Sequence, residues 1–403
     1  MQVLTMPRAL PVNPLLRRFS FIIFLLLVPV SAHGRDNTLN ILYTGAVKGE
    51  LEPCGCSPKT ESGGVARLSG YISSASGGLK PYILIDAGGS MPEDTAQGRL
   101  KADALLNAFG LLNYDAAAFF KGGPLPDDVI AALAQRYGVR AVSNAGRYPG
   151  SVQLNRGRLQ INVSADEKGY REGMLNVLLT GLPVSEAKYI AGWDVIVLSS
   201  GETLPEPVKS GETVIVSGAS RNRELGVLTV EVDGAGRVLN YVHRWQPLGK
   251  DIKEDARVRQ VLNEYGAKVA RLVKDEEKKA ASGGPYLGGS GCEECHKPFA
   301  DIWKNTRHSG AFGALEKVGK AGDPECVKCH TTGYGGEGGF YSLSSTPGLA
   351  NVQCEACHGP GRDHAADSTL PMTPTGKNIC LRCHTKENSP DFDFEGYLKK
   401  IRH

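Results

Sequence analysis

Four copies of Cys-x-x-Cys-His within the last 112 residues constrain this chain more than any other feature. They are Cys292/Cys295/His296, Cys326/Cys329/His330, Cys354/Cys357/His358 and Cys380/Cys383/His384. This motif attaches c-type haem: both cysteines form thioether bonds to the porphyrin, and the histidine lies beneath the iron as its fifth ligand. The spacing therefore predicts four covalently bound haem c groups.

The competing interpretation is a pair of zinc ribbons, because paired cysteines also form tetrahedral four-cysteine zinc sites. A zinc ribbon does not need a histidine directly after each cysteine pair. It also suits the reducing cytosol, where structural disulfides are rare and cysteine pairs bind metals. The four following histidines therefore favour haem over zinc.

The N-terminus predicts export, which suits haem attachment on the outer side of the cytoplasmic membrane. Arg17 and Arg18 precede the apolar run 19–30, and Val30-Ser31-Ala32 fits cleavage after Ala32, so residues 1–32 are predicted to be a signal peptide. The apolar run is short for a membrane span, although an uncleaved anchor is the alternative. We expect a periplasmic or extracellular protein that contacts a membrane only through a retained leader.

The charge balance excludes one class of partner. The formal net charge of +3 includes three arginines of the predicted leader, which contains no acidic residue. The mature polypeptide is therefore close to neutral, and haem propionates would make it acidic. Nucleic-acid binding has no support in this sequence.

Two regions of different pattern follow the leader. Residues 39–250 alternate short apolar runs with amphipathic stretches, which is typical of a layered α/β domain. Residues 290–403 lose this periodicity and gain glycine, proline and histidine, which predicts a mostly helical and irregular multihaem domain. Strands are predicted at 39–44, 82–87, 116–120, 139–143, 175–180, 194–199 and 213–217, helices at 65–74, 96–112 and 127–137, and a hairpin at 225–232 and 238–245.

Residues 251–289 connect the two predicted domains. The charged stretch 255–280 predicts a solvated helix that acts as a spacer, and residues 282–291 are a glycine-rich linker.

The sixth coordination position of each iron decides its chemistry, because a filled position permits only electron transfer while an open one can bind a substrate. The segment 303–308 predicts a helix that directs His308 inward. His364 follows His358 so closely that we expect it to bind a neighbouring haem. The candidate distal ligands are thus His308, His364 and His403, one fewer than the haems. Alternative donors are Met372, His243 and a histidine of a neighbouring molecule.

Residues 290–403 resemble the tetrahaem cytochromes c of ammonia-oxidising bacteria and their relatives. The resemblance rests on CEECH followed by Trp303 and His308, CVKCHTTGYG at 326–335, CEACHGPGRDH at 354–364, and CLRCH followed by PDFDFEGYLKKIRH at 390–403. It implies that three haems have two histidine ligands each, with His308, His364 and His403 on the distal side. It also implies that the haem held by His330 is five-coordinate.

Residues 39–250 more distantly resemble the secreted calcineurin-like metallophosphoesterases of the 5'-nucleotidase type, through Thr44-Gly45 and residues 63–68, 85–88, 113–116, 193–196 and 225–226. In that family two metal ions held by Asp, His and Asn act on a phosphoester. The corresponding positions here are Ala46, Lys48, Gly89, Lys121, Gly122, Ser200 and Glu202. The resemblance implies an inactive scaffold, because these residues lack the donors and the lysines repel cations.

Cys54 and Cys56 are the remaining cysteines. In an oxidising compartment they are expected to form a structural disulfide or an inert turn. The alternative is a redox role, as a strained and easily reduced local disulfide, or a metal-binding role.

These features predict an exported tetrahaem cytochrome that relays electrons between redox partner proteins, with no catalytic residue assigned. The alternative is an oxidoreductase whose open haem at His330 reduces or oxidises a small nitrogen compound. Phosphoester hydrolysis is a lesser alternative. The shortage of distal donors also permits a homo-oligomer or filament in which one molecule's histidine binds another's haem.

Overall fold

The computed structural model describes residues 37–53, 61–277, 284–386 and 388–402. The predicted leader, the two cysteines at 54 and 56, and His403 lie outside these residues. The strands are β1 (Thr38–Thr44), β2 (Tyr82–Asp86), β3 (Ala116–Ala118), β4 (Ala141–Val142), β5 (Ser151–Arg156), β6 (Leu159–Ser164), β7 (Leu175–Thr180), β8 (Val195–Leu198), β9 (Val208–Ser210), β10 (Thr213–Ser217), β11 (Glu224–Val232) and β12 (Val238–Pro247). The helices are α1 (Val65–Leu79), α2 (Ala96–Leu112), α3 (Asp127–Tyr137), α4 (Val184–Ala187), α5 (Ala256–Glu277), α6 (Gly289–Lys304), α7 (Ala311–Lys317), α8 (Pro324–His330), α9 (Cys354–His358), α10 (Arg362–Ala366), α11 (Lys377–Cys380) and α12 (Phe394–Leu398).

Two six-stranded mixed sheets form the N-terminal part. The first has the order β12-β11-β1-β2-β3-β4, in which β1 to β4 are parallel and β11 and β12 are antiparallel additions. The second has the order β5-β6-β7-β8-β10-β9, with parallel central strands and an antiparallel strand at each edge. Mixed sheets of this kind are common in layered folds.

The two sheets pack face to face and carry helices on their outer faces. Alternate residues of β1 divide between layers: Ile41 and Tyr43 join the apolar cluster between the sheets, while Leu42 packs against the helices. The outer layer on the first sheet includes α1, α2, α3 and α5. A smaller apolar cluster beneath α4 covers the second sheet. The expected layered α/β fold is confirmed, because the period of two along a strand buries both faces.

The predicted elements of this region are confirmed, with shifted boundaries, and three strands are additional. Strands β5, β6 and β9 were not predicted. Strand β5 is an edge strand whose exposed positions carry Gln153 and Asn155, so its apolar alternation is weak. Strand β9 is a three-residue edge strand with Lys209 at its centre. Short polar edges give a sequence little periodicity from which a strand can be predicted. Strand β6 lies inside the sheet, where Asn162 and Ser164 are buried polar residues that interrupt its apolar character.

The charged segment after the second sheet is a helix, but the expected solvated spacer is wrong. One face of α5 buries Val258, Leu262, Tyr265 and Val269 in the cluster formed with α1 and α2. These residues recur at helical spacing within a sequence of low mean hydropathy, so the charges conceal an apolar stripe. Helix α5 therefore packs as part of the α/β layer.

The C-terminal part is mostly short helices and irregular chain, as expected. Its main apolar cluster has five buried side chains, contributed by Phe312, Leu315, Val327, Phe340 and Leu349. Helix α6 ends at Lys304, and His308 lies instead in a short 3-10 helix at Arg307–Gly310, which corrects the predicted continuous helix. None of the helices in the described residues has the length and apolar character that a membrane crossing requires.

A fully buried carboxylate, Asp86, closes the end of β2. It accepts hydrogen bonds from Thr44 Oγ1 at 2.7 Å, Ser90 Oγ at 2.8 Å and the Gly88 amide at 3.1 Å. Burial raises the pKa of Asp86 to about 6, and these hydrogen bonds only partly oppose the shift. The folded state therefore holds this proton more tightly than the unfolded chain does.

We expect the contribution of Asp86 to the free energy of unfolding to fall by about 3 kcal/mol as pH rises from about 4 to about 6, and to stay level above that pH. Asp86→Asn removes this titratable group. The free energy of unfolding of the variant minus that of the wild type should therefore be about 3 kcal/mol larger at pH 7 than at pH 4. Urea denaturation followed by far-ultraviolet circular dichroism measures this difference. Asp128→Asn, on the exposed side of α3, is the control. An equal effect of Asp86→Asn at both pH values would contradict the expectation.

Candidate haem site

Each Cys-x-x-Cys-His motif lies on a short helix or at its end. Helices α6, α8 and α9 carry the first three motifs, and the fourth begins at the last residue of α11 and continues through a turn to His384. Residues three and four apart share one face of a helix, so in α8 and α9 the second thiol and the following imidazole project on the same side as the first thiol. The first motif leaves helical geometry at His296, and the fourth is helical only at Cys380. The local structure of α8 and α9 thus matches the geometry that a covalently attached porphyrin needs.

Thiols from different motifs meet in two pairs. Cys292 shares a hydrogen bond with Cys354, and this bond is the largest cause of the raised pKa of Cys292. Cys329 shares one with Cys383, which lowers the pKa of Cys329 to about 7 and raises that of Cys383. The first and third attachment points are therefore neighbours, and so are the second and fourth. The third and fourth are also close, because the pKa of Cys357 is raised by burial and also by Cys380.

Two pairs of imidazole rings lie at centre-to-centre distances equal to those of two ligands of one metal. The ring centres of His296 and His364 are 6.2 Å apart with an interplanar angle of 21°. Those of His308 and His384 are 6.3 Å apart at 41°. Two imidazoles on opposite sides of one metal have ring centres about 6 Å apart, because a metal–nitrogen bond is about 2 Å and each ring centre lies about 1 Å behind its nitrogen.

Backbone carbonyls orient the rings of His364 and His330. His364 Nδ1 donates to the Leu370 carbonyl at 2.7 Å, and His330 Nδ1 donates to the Ala311 carbonyl at 2.7 Å. A hydrogen bond donated by Nδ1 fixes the tautomer and leaves the lone pair of Nε2 available to a metal. Most metal-binding histidines have this arrangement. Both rings are therefore prepared to bind iron through Nε2.

Burial favours the neutral form of the His308 and His384 rings, which is the form that binds metals. Desolvation lowers the pKa of both, and the nearby His384 and His330 rings lower that of His308 further. Phe392 stacks on His384 with ring centres 4.9 Å apart, and Tyr397 contacts it edge-on at 5.3 Å. Sequence reasoning did not assign these two aromatic residues, although both lie in the PDFDFEGYLKKIRH stretch that carries the resemblance.

The other candidate donors have different surroundings. His243 lies on β12 within the α/β part, where Nε2 is 2.8 Å from Tyr43 Oη and the ring packs edge-on against Trp245. Its role as a distal ligand is therefore not supported. Met372 lies half-buried beside Gly361, next to the start of α10. His403 lies outside the described residues, and His358 ends helix α9.

The positions aligned with the metal site of phosphoesterases converge at the strand ends, but they lack its donors. A side chain at Gly89 would meet the Ser199 carbonyl at 2.9 Å and Ala46 Cα at 3.4 Å. Lys48 Nζ reaches within 3.7 Å of the point where a Cβ would stand on Gly201. The described residues contain no group of three or more His, Cys, Asp or Glu side chains placed to hold a metal ion. An ammonium group occupies this edge instead, which disfavours divalent cations.

Comparison with known proteins separates the same two parts. Residues 291–359 match the family model described as cytochrome c554 and c-prime. Cytochrome c-554 of Nitrosomonas europaea is 34% identical over 133 residues, which cover 28% of this chain and 56% of that protein. The C-type polyheme cytochrome OmcB of Geobacter sulfurreducens is 35% identical over 72 residues, 17% of this chain and 10% of that protein. The chain thus spans little more than half of the first relative.

For the N-terminal part, the 5'-nucleotidase precursor from Thermus thermophilus aligns with a TM-score of 0.51 and 19% identity, over 58% of this chain and 59% of that chain. At this identity the similarity establishes the fold alone. The chain therefore joins a part with a fold similar to that of a 5'-nucleotidase to a segment similar to multihaem c-type cytochromes.

Proposed function

We propose that this chain is an exported tetrahaem c-type cytochrome that relays electrons between redox partner proteins. The observation that carries the proposal is the ring-centre distance in two imidazole pairs, His296 with His364 and His308 with His384, because it equals that of two ligands on one iron. An iron with two histidine ligands has no open position, so it exchanges electrons without binding a substrate. Such haems suit a relay.

In this proposal every motif holds one haem. The thioether residues are Cys292, Cys295, Cys326, Cys329, Cys354, Cys357, Cys380 and Cys383. The iron ligands are His296, His330, His358 and His384 on the proximal side and His308, His364 and His403 on the distal side. The two thiol contacts support close haem pairs, first with third and second with fourth, because neighbouring attachment points bring the porphyrins together. Short separations favour rapid transfer between haems.

The proposal includes secretion through the leader at residues 1–32 and a periplasmic or extracellular location. The proposed domains are an α/β domain at 39–250, to which helix α5 of the segment 251–289 is joined by packing, and a haem domain at 290–403. Homo-oligomer or filament formation, with a histidine supplied by a neighbouring molecule, accompanies the proposal as a structural alternative.

A second candidate function uses the haem at His330. His308 and His364 lie beside the fourth and first motifs, so His403 is left as the distal histidine that the resemblance offers to the haems at His330 and His358. One of those irons therefore lacks a partner among the candidates, and the resemblance assigns the open position to His330. An open iron there would bind and reduce or oxidise a small nitrogen compound.

We expect intact mass spectrometry of the exported protein to show four haem additions. Replacing Cys326 and Cys329 together with alanine should remove one of them, because both thioether bonds of that site are lost. The matched control replaces Cys354 and Cys357 and should also leave three haems. Cysteine-bound zinc without any haem mass would contradict the proposal, since the motifs would then be zinc ligands.

We expect His364→Ala to convert the haem on Cys292 and Cys295 from low-spin to high-spin, because its iron loses one of two strong nitrogen ligands. Electron paramagnetic resonance of the oxidised protein should show one additional high-spin signal. His243→Gln is the control, since this ring lies in the α/β part beside Tyr43. A His364→Ala spectrum identical to that of the wild type would exclude the assigned pair.

We expect the wild type to contain one high-spin haem in four, and nitric oxide to remove that signal by binding the iron opposite His330. The variant lacking Cys326 and Cys329 should show no such signal. Low-spin spectra that nitric oxide does not alter would rule out the second candidate function and leave the relay in place.

A further inference from the structure

Helix α2 of the α/β part contacts the helix that carries the second haem motif. Lys101 Nζ lies 2.7 Å from Glu325 Oε1. The Lys101 side chain is 7% exposed, whereas that of Glu325 is 45% exposed. Glu325 directly precedes Cys326, so their Cα atoms are about 3.8 Å apart. A buried ammonium group is thus held one residue from a thioether position.

Further contacts fix this arrangement. Gln97 on α2 donates through Nε2 to Asp323 Oδ1 at 3.2 Å and to Tyr265 Oη at 3.0 Å. Asp323 is the N-cap of α8 and accepts from the Glu325 amide at 3.0 Å. Lys320 Nζ donates to the Pro53 carbonyl at 3.2 Å, close to the same end of α8. The start of α8 is therefore anchored to the α/β part by several hydrogen bonds.

The charges around Lys101 are predominantly negative. Asp323 and Glu325 belong to the haem segment, and Glu50 joins them from the α/β part, where it pairs with Arg221 at 3.3 Å. Burial raises the pKa of Glu50, while Lys101 and Arg221 oppose that shift and the two acids of the haem segment reinforce it. These five groups therefore interact. Loss of the Lys101 charge would leave the negative charges of Glu50, Asp323 and Glu325 with less positive charge nearby.

We propose that Lys101 raises the reduction potential of the haem attached to Cys326 and Cys329, which makes the α/β domain a potential-setting part of the cytochrome. Reduction adds one electron to the haem, and a nearby positive charge in a poorly solvated site stabilises the reduced form. Lys101 acts on the haem through the electrostatic potential that its charge produces near α8. It is a positioning residue that does not ligate iron. The proposal rests on the haem assignment above but not on whether that haem is open.

The test is a spectroelectrochemical titration of the full-length holoprotein. The transition absent from the Cys326→Ala/Cys329→Ala variant identifies the second haem, whatever its spin state. Lys101→Met should shift that transition to lower potential, and Glu325→Gln should shift it to higher potential. Lys101→Arg keeps the charge and should retain the wild-type value. The matched control is Lys268→Met, which removes a cation that links α5 to Asp103 on α2 at 2.8 Å.

Opposite shifts distinguish an electrostatic role from a structural one, because loosening the contact would move both variants in the same direction. The proposal is overturned if Lys101→Met and Glu325→Gln shift the transition alike, or if neither differs from Lys268→Met. Should Lys101→Met fail to accumulate, Glu325→Gln alone decides, and an unshifted or lowered potential counts against the proposal. If no transition disappears when Cys326 and Cys329 are replaced, the haem assignment itself is wrong.

Discussion

Coordination of one iron by two imidazoles is the interaction on which the proposed C-terminal segment depends. Its principal apolar cluster contains five buried side chains, which is little for more than a hundred residues. The two imidazole pairs join α6 to α10 and the turn after α6 to the turn after α11. Each shared iron would close a long loop, and each porphyrin would supply apolar surface that the side chains do not. The short helices need no larger core of their own under this proposal.

The same dependence explains what the sequence could and could not predict. Covalent attachment is local, so five-residue motifs predict it, and their helical setting follows directly. Distal pairing is not local. Sequence reasoning placed His364 on a neighbouring haem but could not choose which, whereas the fold brings it to His296. The paired rings and the Phe392 contact depend on tertiary packing that no spacing rule contains.

In the α/β part, the sequence predicts best the strands with a high content of apolar residues. Buried central strands such as β7 and β10 were predicted within one residue, because every position in them is buried. Edge strand β5 and helix α5 show the opposite case. Polar residues on their solvent faces dominate the sequence there, and the buried stripe of α5 is recognisable only against the helices that it packs on.

Within the described residues, the N-terminal fold holds its two sheets together without any contribution from metal-binding side chains. The two sheets are held by the apolar cluster between them, which includes Ile161 and Val197 and no metal ligand, so their packing does not depend on donors at the strand ends. The helical layer is then free to serve another purpose. Its contact with α8 buries Lys101, and burial of a charge is unfavourable unless a partner compensates it. Glu325 supplies that compensation from the other part of the chain, so neither part alone contains the complete ion pair. A domain retained only as a spacer would not need a charge in that position, which is why the contact points to an electrostatic role beside the second haem.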